Sequence, residues 1–121
     1  MSLKAIIVDD ESKGRSALRN LLTLIDDSVE VIDEAGSLAE GVSSIDNNEP
    51  DLVFLDIQMA DGTGFDLLEK ITFKDFQLVF ITAHDEYALK AFRYSAIDYL
   101  TKPVDPDLLR NALQKVRENN K

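Results

Sequence analysis

The chain contains no cysteine, a single histidine and no long uninterrupted apolar run. Without cysteine, disulfides and thiolate metal sites are excluded. No apolar stretch approaches the roughly 20 residues that a membrane-crossing helix requires, so no membrane association is expected. The opening Met1-Ser2-Leu3-Lys4 leads directly into an apolar run and lacks secretory-signal architecture. A soluble cytoplasmic protein is the expectation. Positive charge is also scarce: 13 Lys and Arg stand against 23 Asp and Glu, a net charge of −10. That balance argues against direct nucleic-acid binding, because a phosphate backbone is gripped by Lys and Arg. Repeats, low-complexity tracts and internal linkers are missing too, and 121 residues suit one core. Residues 1–121 are therefore read as one domain.

Apolar runs alternate with stretches of helical period. The run at 5–8 is followed by Leu18, Leu21, Leu22 and Ile25, spaced i, i+3, i+4, i+7 on one helix face. A second strand is expected at 29–32. Ser37 and Glu40 then have capping-box spacing and open a helix that turns Leu38, Val42 and Ile45 inward. Further strands are expected at 52–55, 78–81 and 97–100. Between them lie a helix marked by Phe65, Leu68 and Ile71 and another over about 85–94. The last helix has Asp105 as N-cap, Pro106 in its first turn and Leu109, Ala112, Leu113 and Val116 in register, with 118–121 expected to fray. Five β-α units of this kind predict an α/β fold: a doubly wound, five-stranded parallel sheet covered on both faces. Strand order 2-1-3-4-5 would set strands 1 and 3 side by side at the topological switch point.

Four of the runs end on reactive polar residues. Val8 runs into Asp9-Asp10, Leu55 into Asp56, Ile81 into Thr82, and Tyr99-Leu100 into Thr101-Lys102-Pro103. Singly, each has a plain structural explanation as a helix cap, an Asx-turn, a strand end or a loop lysine. In a parallel sheet they share one edge, so three acids, a hydroxyl and an ammonium converge. Close carboxylates repel by roughly 4 kcal/mol per pair at intermediate dielectric. Mg²⁺, which takes hard oxygen ligands together with a substrate phosphate, is the natural compensation, and Lys102 adds a fixed positive charge. Asp56 then reads as a nucleophile toward phosphorus, with catalysis by positioning and charge neutralisation.

These residues resemble the receiver domains of bacterial two-component response regulators, over essentially the whole chain. The marks are Asp9-Asp10, Asp56, Met59 and Gly64, Thr82, and Lys102-Pro103. The stretch from Thr82 through Ala83-His84-Asp85-Glu86-Tyr87 to Phe92, with Asp98-Tyr99-Leu100, is similar to receivers that precede LytTR-type DNA-binding domains. The resemblance implies a flavodoxin-like three-layer fold. It also implies that Asp56 is the phosphoacceptor for a sensor histidine kinase. Asp10 would be a direct Mg²⁺ ligand, Asp9 a ligand through water and Gln58 a ligand through its carbonyl. Thr82 and Lys102 would hold the phosphoryl oxygens, and the Lys102–Pro103 bond would be cis. Thr82 and an initially outward Tyr99 would form the switch, with Gln58 and His84 tuning phosphoryl lifetime. Tyr87, Ala91 and Tyr94, opposite Leu89 and Phe92, are the candidate dimerisation face. An output domain in the same or another chain is the further partner. Ala60 stands where receivers commonly have proline, which predicts a less rigid loop after Asp56.

Three other classes fit less well. A haloacid-dehalogenase-like phosphatase needs an Asp-x-Asp pattern after strand 1, and a flavodoxin-like electron carrier needs a Ser/Thr/Gly-rich phosphate loop there. This chain has Asp9-Asp10-Glu11. With His84 as its only histidine and no nucleotide-binding loop, it does not read as a phosphodonor kinase or histidine phosphotransfer protein.

Overall fold

Strands that are apolar on both faces must be covered on both, and the chain achieves this by alternating them with amphipathic helices. The computed structural model describes residues 2–119. In chain order the elements are β1 (Leu3–Val8), α1 (Ser12–Ile25), β2 (Val29–Ala35), α2 (Leu38–Asn48), β3 (Leu52–Leu55), β4 (Gln58–Met59) and β5 (Gly62–Thr63). They continue with α3 (Gly64–Lys70), β6 (Gln77–Thr82), α4 (Ala88–Phe92), β7 (Asp98–Thr101) and α5 (Pro106–Asn119). The main sheet has the order β2-β1-β3-β6-β7, with every neighbouring pair parallel. Counting only its own strands, this is the expected 2-1-3-4-5. The remaining two strands, β4 and β5, form a two-residue antiparallel ribbon that periodicity does not reveal.

Alternation along the strands divides the core into two layers. Ile6, Val8, Val53, Leu55 and Phe80 face α2, α3 and α4. Ala5, Ile7, Phe54, Val79 and Ile81 face α1 and α5, meeting Leu18, Leu22, Leu109 and Leu113. Each Val, Leu, Ile or Phe side chain among them, once fully buried, contributes about 1.5–3 kcal/mol from apolar transfer.

The helix ends refine the expectations. Ser37 Oγ accepts from Glu40 N at 3.1 Å, but the Glu40 carboxylate accepts from Gly36 N at 2.8 Å, so the reciprocal bond reaches one residue beyond a capping box. A complete box instead starts α3, where Thr63 and Asp66 exchange bonds. Asp105 Oδ1 accepts from Asp107 N at 2.8 Å at the start of α5. Glu118 and Asn119 remain in that helix, so the fraying expected from 118 does not begin there; residues 120–121 lie outside the described residues.

Helix α4 is shorter than the expected 85–94. No side chain caps it, and Arg93, Tyr94 and Ser95 each donate to the carbonyl three residues back, a tightened end that closes with Ser95 at φ 60°. Its orientation also reverses the expected interface. Ala91 is 2% exposed, and Tyr87 and Tyr94 pack their rings on Phe65 with centroids at 6.1 and 5.1 Å. Leu89 and Phe92 point outward, at 82% and 76% exposure. The rings face inward because Phe65, at the start of α3, offers them an aromatic surface. Among the described residues, no helix is long and apolar enough to cross a membrane.

Candidate functional site: an acidic cleft bridged by Lys102

The register Val8↔Leu55 sets the carboxyl ends of β1 and β3 level. Asp56 N donates to Val8 O at 2.9 Å, which locks Asp56 directly beside Asp9. Asp9 and Asp56 are 5% and 6% exposed, while Asp10 faces solvent. One carboxylate oxygen from each of the three lies within 4.8 Å of the others. Lys102 reaches in from the far side of the sheet edge. Its Nζ lies 2.7 Å from Asp9 Oδ2, 3.0 Å from Asp56 Oδ2 and 3.3 Å from Glu11 Oε1. The Lys102–Pro103 peptide is cis, and Lys102 N donates to Thr82 O at 2.8 Å. Thr82, at the end of β6, is fully buried, and its Oγ1 accepts from His84 N at 3.3 Å.

Charge in the cleft is unbalanced. Burial pushes the Asp9 carboxyl above its ordinary range, against the opposing pull of Lys102 and the Glu11 amide. Burial also works to lower the Lys102 pKa, but its bonds to Asp9 and Asp56 and their charges outweigh that and raise it. The ammonium therefore stays charged. Among the described residues Lys102 alone forms ion pairs with Asp9, Glu11 and Asp56, while Arg15 Nη1 donates to the Asp9 carbonyl; the carboxylates outnumber the cations, so the cleft favours a hard divalent ion, and its all-oxygen donor set suits one.

Two neighbours were not singled out in the sequence. Glu11 is the third carboxylate on Lys102, and its only sequence signal is its place directly after the acidic pair. Gly14 gives no signal at all, yet a Cβ there would lie 2.6 Å from Asp9 Oδ2. Beneath the carboxylates, an apolar cavity of about 260 Å³ runs between α1 and the segment after β7, lined in part by Leu18, Leu21, Phe54 and Val104.

The remaining sequence-singled residues gather at the rim. Gln58 is exposed, and its Nε2 donates to the Tyr87 hydroxyl at 2.9 Å. The His84 ring stands edge-on to Tyr87 at 6.2 Å, with Nδ1 3.7 Å from Glu86 Oε1. Tyr99 departs from the expected outward rotamer. Its half-buried ring lies 6.1 Å from that of Phe80, and its hydroxyl donates to the His84 carbonyl. The carbonyl sequesters the hydroxyl and so allows the ring to stay against the core. Ala60 occupies the tight turn of the β4–β5 ribbon.

The sheet and cleft define a doubly wound α/β domain whose acidic site lies at the switch point of its strands. The family model for the response regulator receiver domain matches residues 5–114, and the chain belongs to that family. It is thus the receiver domain of a two-component response regulator. It is 38% identical to the sensory transduction protein LytT of Bacillus subtilis, over 98% of this chain and 50% of that protein. It is 40% identical to the sensory transduction protein LytR of Staphylococcus epidermidis, over 94% of this chain and 46% of that protein. The chain spans about half the length of these curated relatives. Among solved structures, the REC domain of the response regulator AraT from Geobacillus stearothermophilus superposes with a TM-score of 0.86 at 32% identity. That match covers 98% of this chain and 95% of the other.

Proposed function

We propose that Asp56 accepts a phosphoryl group from a phosphohistidine of a sensor histidine kinase. The observation that carries this is the Asp56 carboxylate, nearly buried in an acid-rich cleft and held 3.0 Å from Lys102 Nζ. A carboxylate oxygen attacks phosphorus, the O–P bond forms and the N–P bond breaks, and the imidazole keeps the electron pair and is protonated. Lys102 neutralises charge on the transferring oxygens, and the Thr82 hydroxyl donates to one of them. Asp10, Asp9 through water, Asp56 and the Gln58 carbonyl would hold Mg²⁺, which when bound neutralises charge on the phosphoryl oxygens. Gln58 and His84, at the rim, tune access of water to the acyl phosphate. The chain thereby catalyses its own phosphorylation and dephosphorylation without being a conventional enzyme.

The new charge and acceptor oxygens on Asp56 draw the Thr82 hydroxyl toward them as a donor, and that hydroxyl also accepts from the His84 amide; Tyr99 is bonded to the carbonyl of that same residue. Phosphorylation therefore biases a pre-existing equilibrium of the segment after β6 and of the face formed by α4, β7 and α5. The recipient of that signal is an output region of a longer protein, of the LytTR DNA-binding kind, or a second copy of the domain. The setting is the cytoplasm. Intact mass after incubation with acetyl phosphate tests the chemistry. One phosphoryl adduct is expected, requiring Mg²⁺ and lost in Asp56→Ala. An adduct that survives in Asp56→Ala, or none with either acetyl phosphate or a cognate kinase, overturns the proposal.

A further inference from the structure

The loop after Asp56 carries a side chain whose partners lie in another helix. Asp61 sits in the turn between β4 and β5, and its carboxylate reaches the first turn of α2. Oδ1 accepts from Leu38 N at 2.8 Å and Oδ2 from Ala39 N at 3.2 Å. Those two bonds hold its carboxyl below the ordinary range. The same helix has an independent cap, Ser37, whose Oγ serves Glu40 N. Asp61 is therefore not needed simply to start α2.

The strands of the ribbon have their own anchors, since Ile57 and Met59 are buried in the core, Gln58 Nε2 bonds the Tyr87 hydroxyl and Thr63 caps α3, but the turn between them is fastened by Asp61. Only Gln58 with Thr63 and Met59 with Gly62 pair across the ribbon, and Gly62 has φ 148°. The end nearest α3 is pinned by Gly64 N donating to Ile57 O at 2.7 Å. At the first central position of the turn, Ala60 leaves φ free where a proline would pre-set it. By contrast α2 is rigidly seated, with Leu38 and Ile45 in the core at 4% and 0% exposure.

We propose that Asp61 is a positioning residue for the cation: by fastening the 57–63 loop to α2, it holds the Gln58 carbonyl at the mouth of the Asp9, Asp10 and Asp56 cluster. The inference rests on the reading of that cluster as a Mg²⁺ site. Mg²⁺ demands near-ideal octahedral geometry, so a ligand on a loosened loop weakens binding.

The test is direct Mg²⁺ titration by calorimetry, with hydrogen exchange of the 57–63 amides. It uses the parent chain, Asp61→Ala, Asp61→Asn, Ser37→Ala and the double variant Asp61→Ala with Ala60→Pro. Asp61→Ala is expected to raise Kd by about tenfold and to speed exchange across the loop. Asp61→Asn keeps one of the two acceptor oxygens that serve the α2 amides and is expected to raise Kd and loop exchange less than Asp61→Ala. Ser37→Ala weakens the same helix end without touching the loop and is expected to leave Kd unchanged. Adding Ala60→Pro to Asp61→Ala is expected to restore part of the affinity, since proline suits that turn position. An unchanged Kd in Asp61→Ala overturns the proposal, as does an equal rise in Ser37→Ala or a rise in Kd without faster exchange across the loop. Failure of the parent chain to bind Mg²⁺ would instead remove the reading of the site itself, and the inference with it.

Discussion

Gly64 stands where no side chain fits: a Cβ there would lie 2.6 Å from the Asp56 carbonyl oxygen and 3.1 Å from Leu55 Cγ. The first neighbour is backbone and cannot swing away, so Gly64→Ala must move β3 or α3. The expected cost is about 2 kcal/mol, read from urea unfolding, together with a reduced phosphoryl adduct at fixed acetyl phosphate. Gly64 was legible as part of a family resemblance, but its contact with Asp56 was not, because close approach of two backbones leaves no pattern in a sequence. Asp9, Asp10, Asp56, Thr82 and Lys102 were legible for a physical reason: each ends an apolar run, and parallel strands bring such ends to one edge. Glu11 was missed since an acid in a loop is ordinary until a lysine 91 residues away is found 3.3 Å from it.

At the scale of elements, the ends of α1 and α5 are joined by charge. Arg117 of α5 donates to Asp26 Oδ2 at 2.8 Å, just past the end of α1. Burial acts to raise the Asp26 carboxyl, but bonds from Ser28 and Arg117 outweigh it and leave it below its ordinary value. A carboxyl depressed by folding adds stability above its unfolded pKa of about 3.9, and that stability is lost as pH falls through the folded value. Arg117→Ala is therefore expected to cost about 1 kcal/mol near neutrality, and the difference from the parent is expected to shrink below about pH 4. Denaturation midpoints at pH 7 and pH 3 measure this; an undiminished difference at pH 3 would assign the effect to packing. Helix α4 shows where reading an element from sequence fails. Its residues are apolar on both faces, so periodicity alone leaves open which face is buried, and the aromatic surface of Phe65 settles it.

For the whole molecule, Leu89 and Phe92 are the apolar surface that α4 leaves exposed, and the proposed association with a second copy would use it. Phe92→Ser is expected to change stability by less than about 0.5 kcal/mol, since the ring is exposed. It is also expected to abolish any rise in mass on phosphorylation, measured by light scattering. Tyr99→Ala is expected to accept the phosphoryl group and yet associate less. Unchanged association there would break the proposed link from Asp56 to this face, and no mass change in the parent chain would remove dimerisation. The sequence by itself determined the doubly wound sheet, its strand order and the residues at its acidic edge. Alternating strand and helix periods with polar strand ends admit few other arrangements. Only the tertiary structure decided which carboxylates Lys102 bridges, which face of α4 is exposed, where Tyr99 rests and that Asp61 reaches α2. Those outcomes depend on contacts between residues far apart in the chain, whose distances are set by packing and not by local propensity.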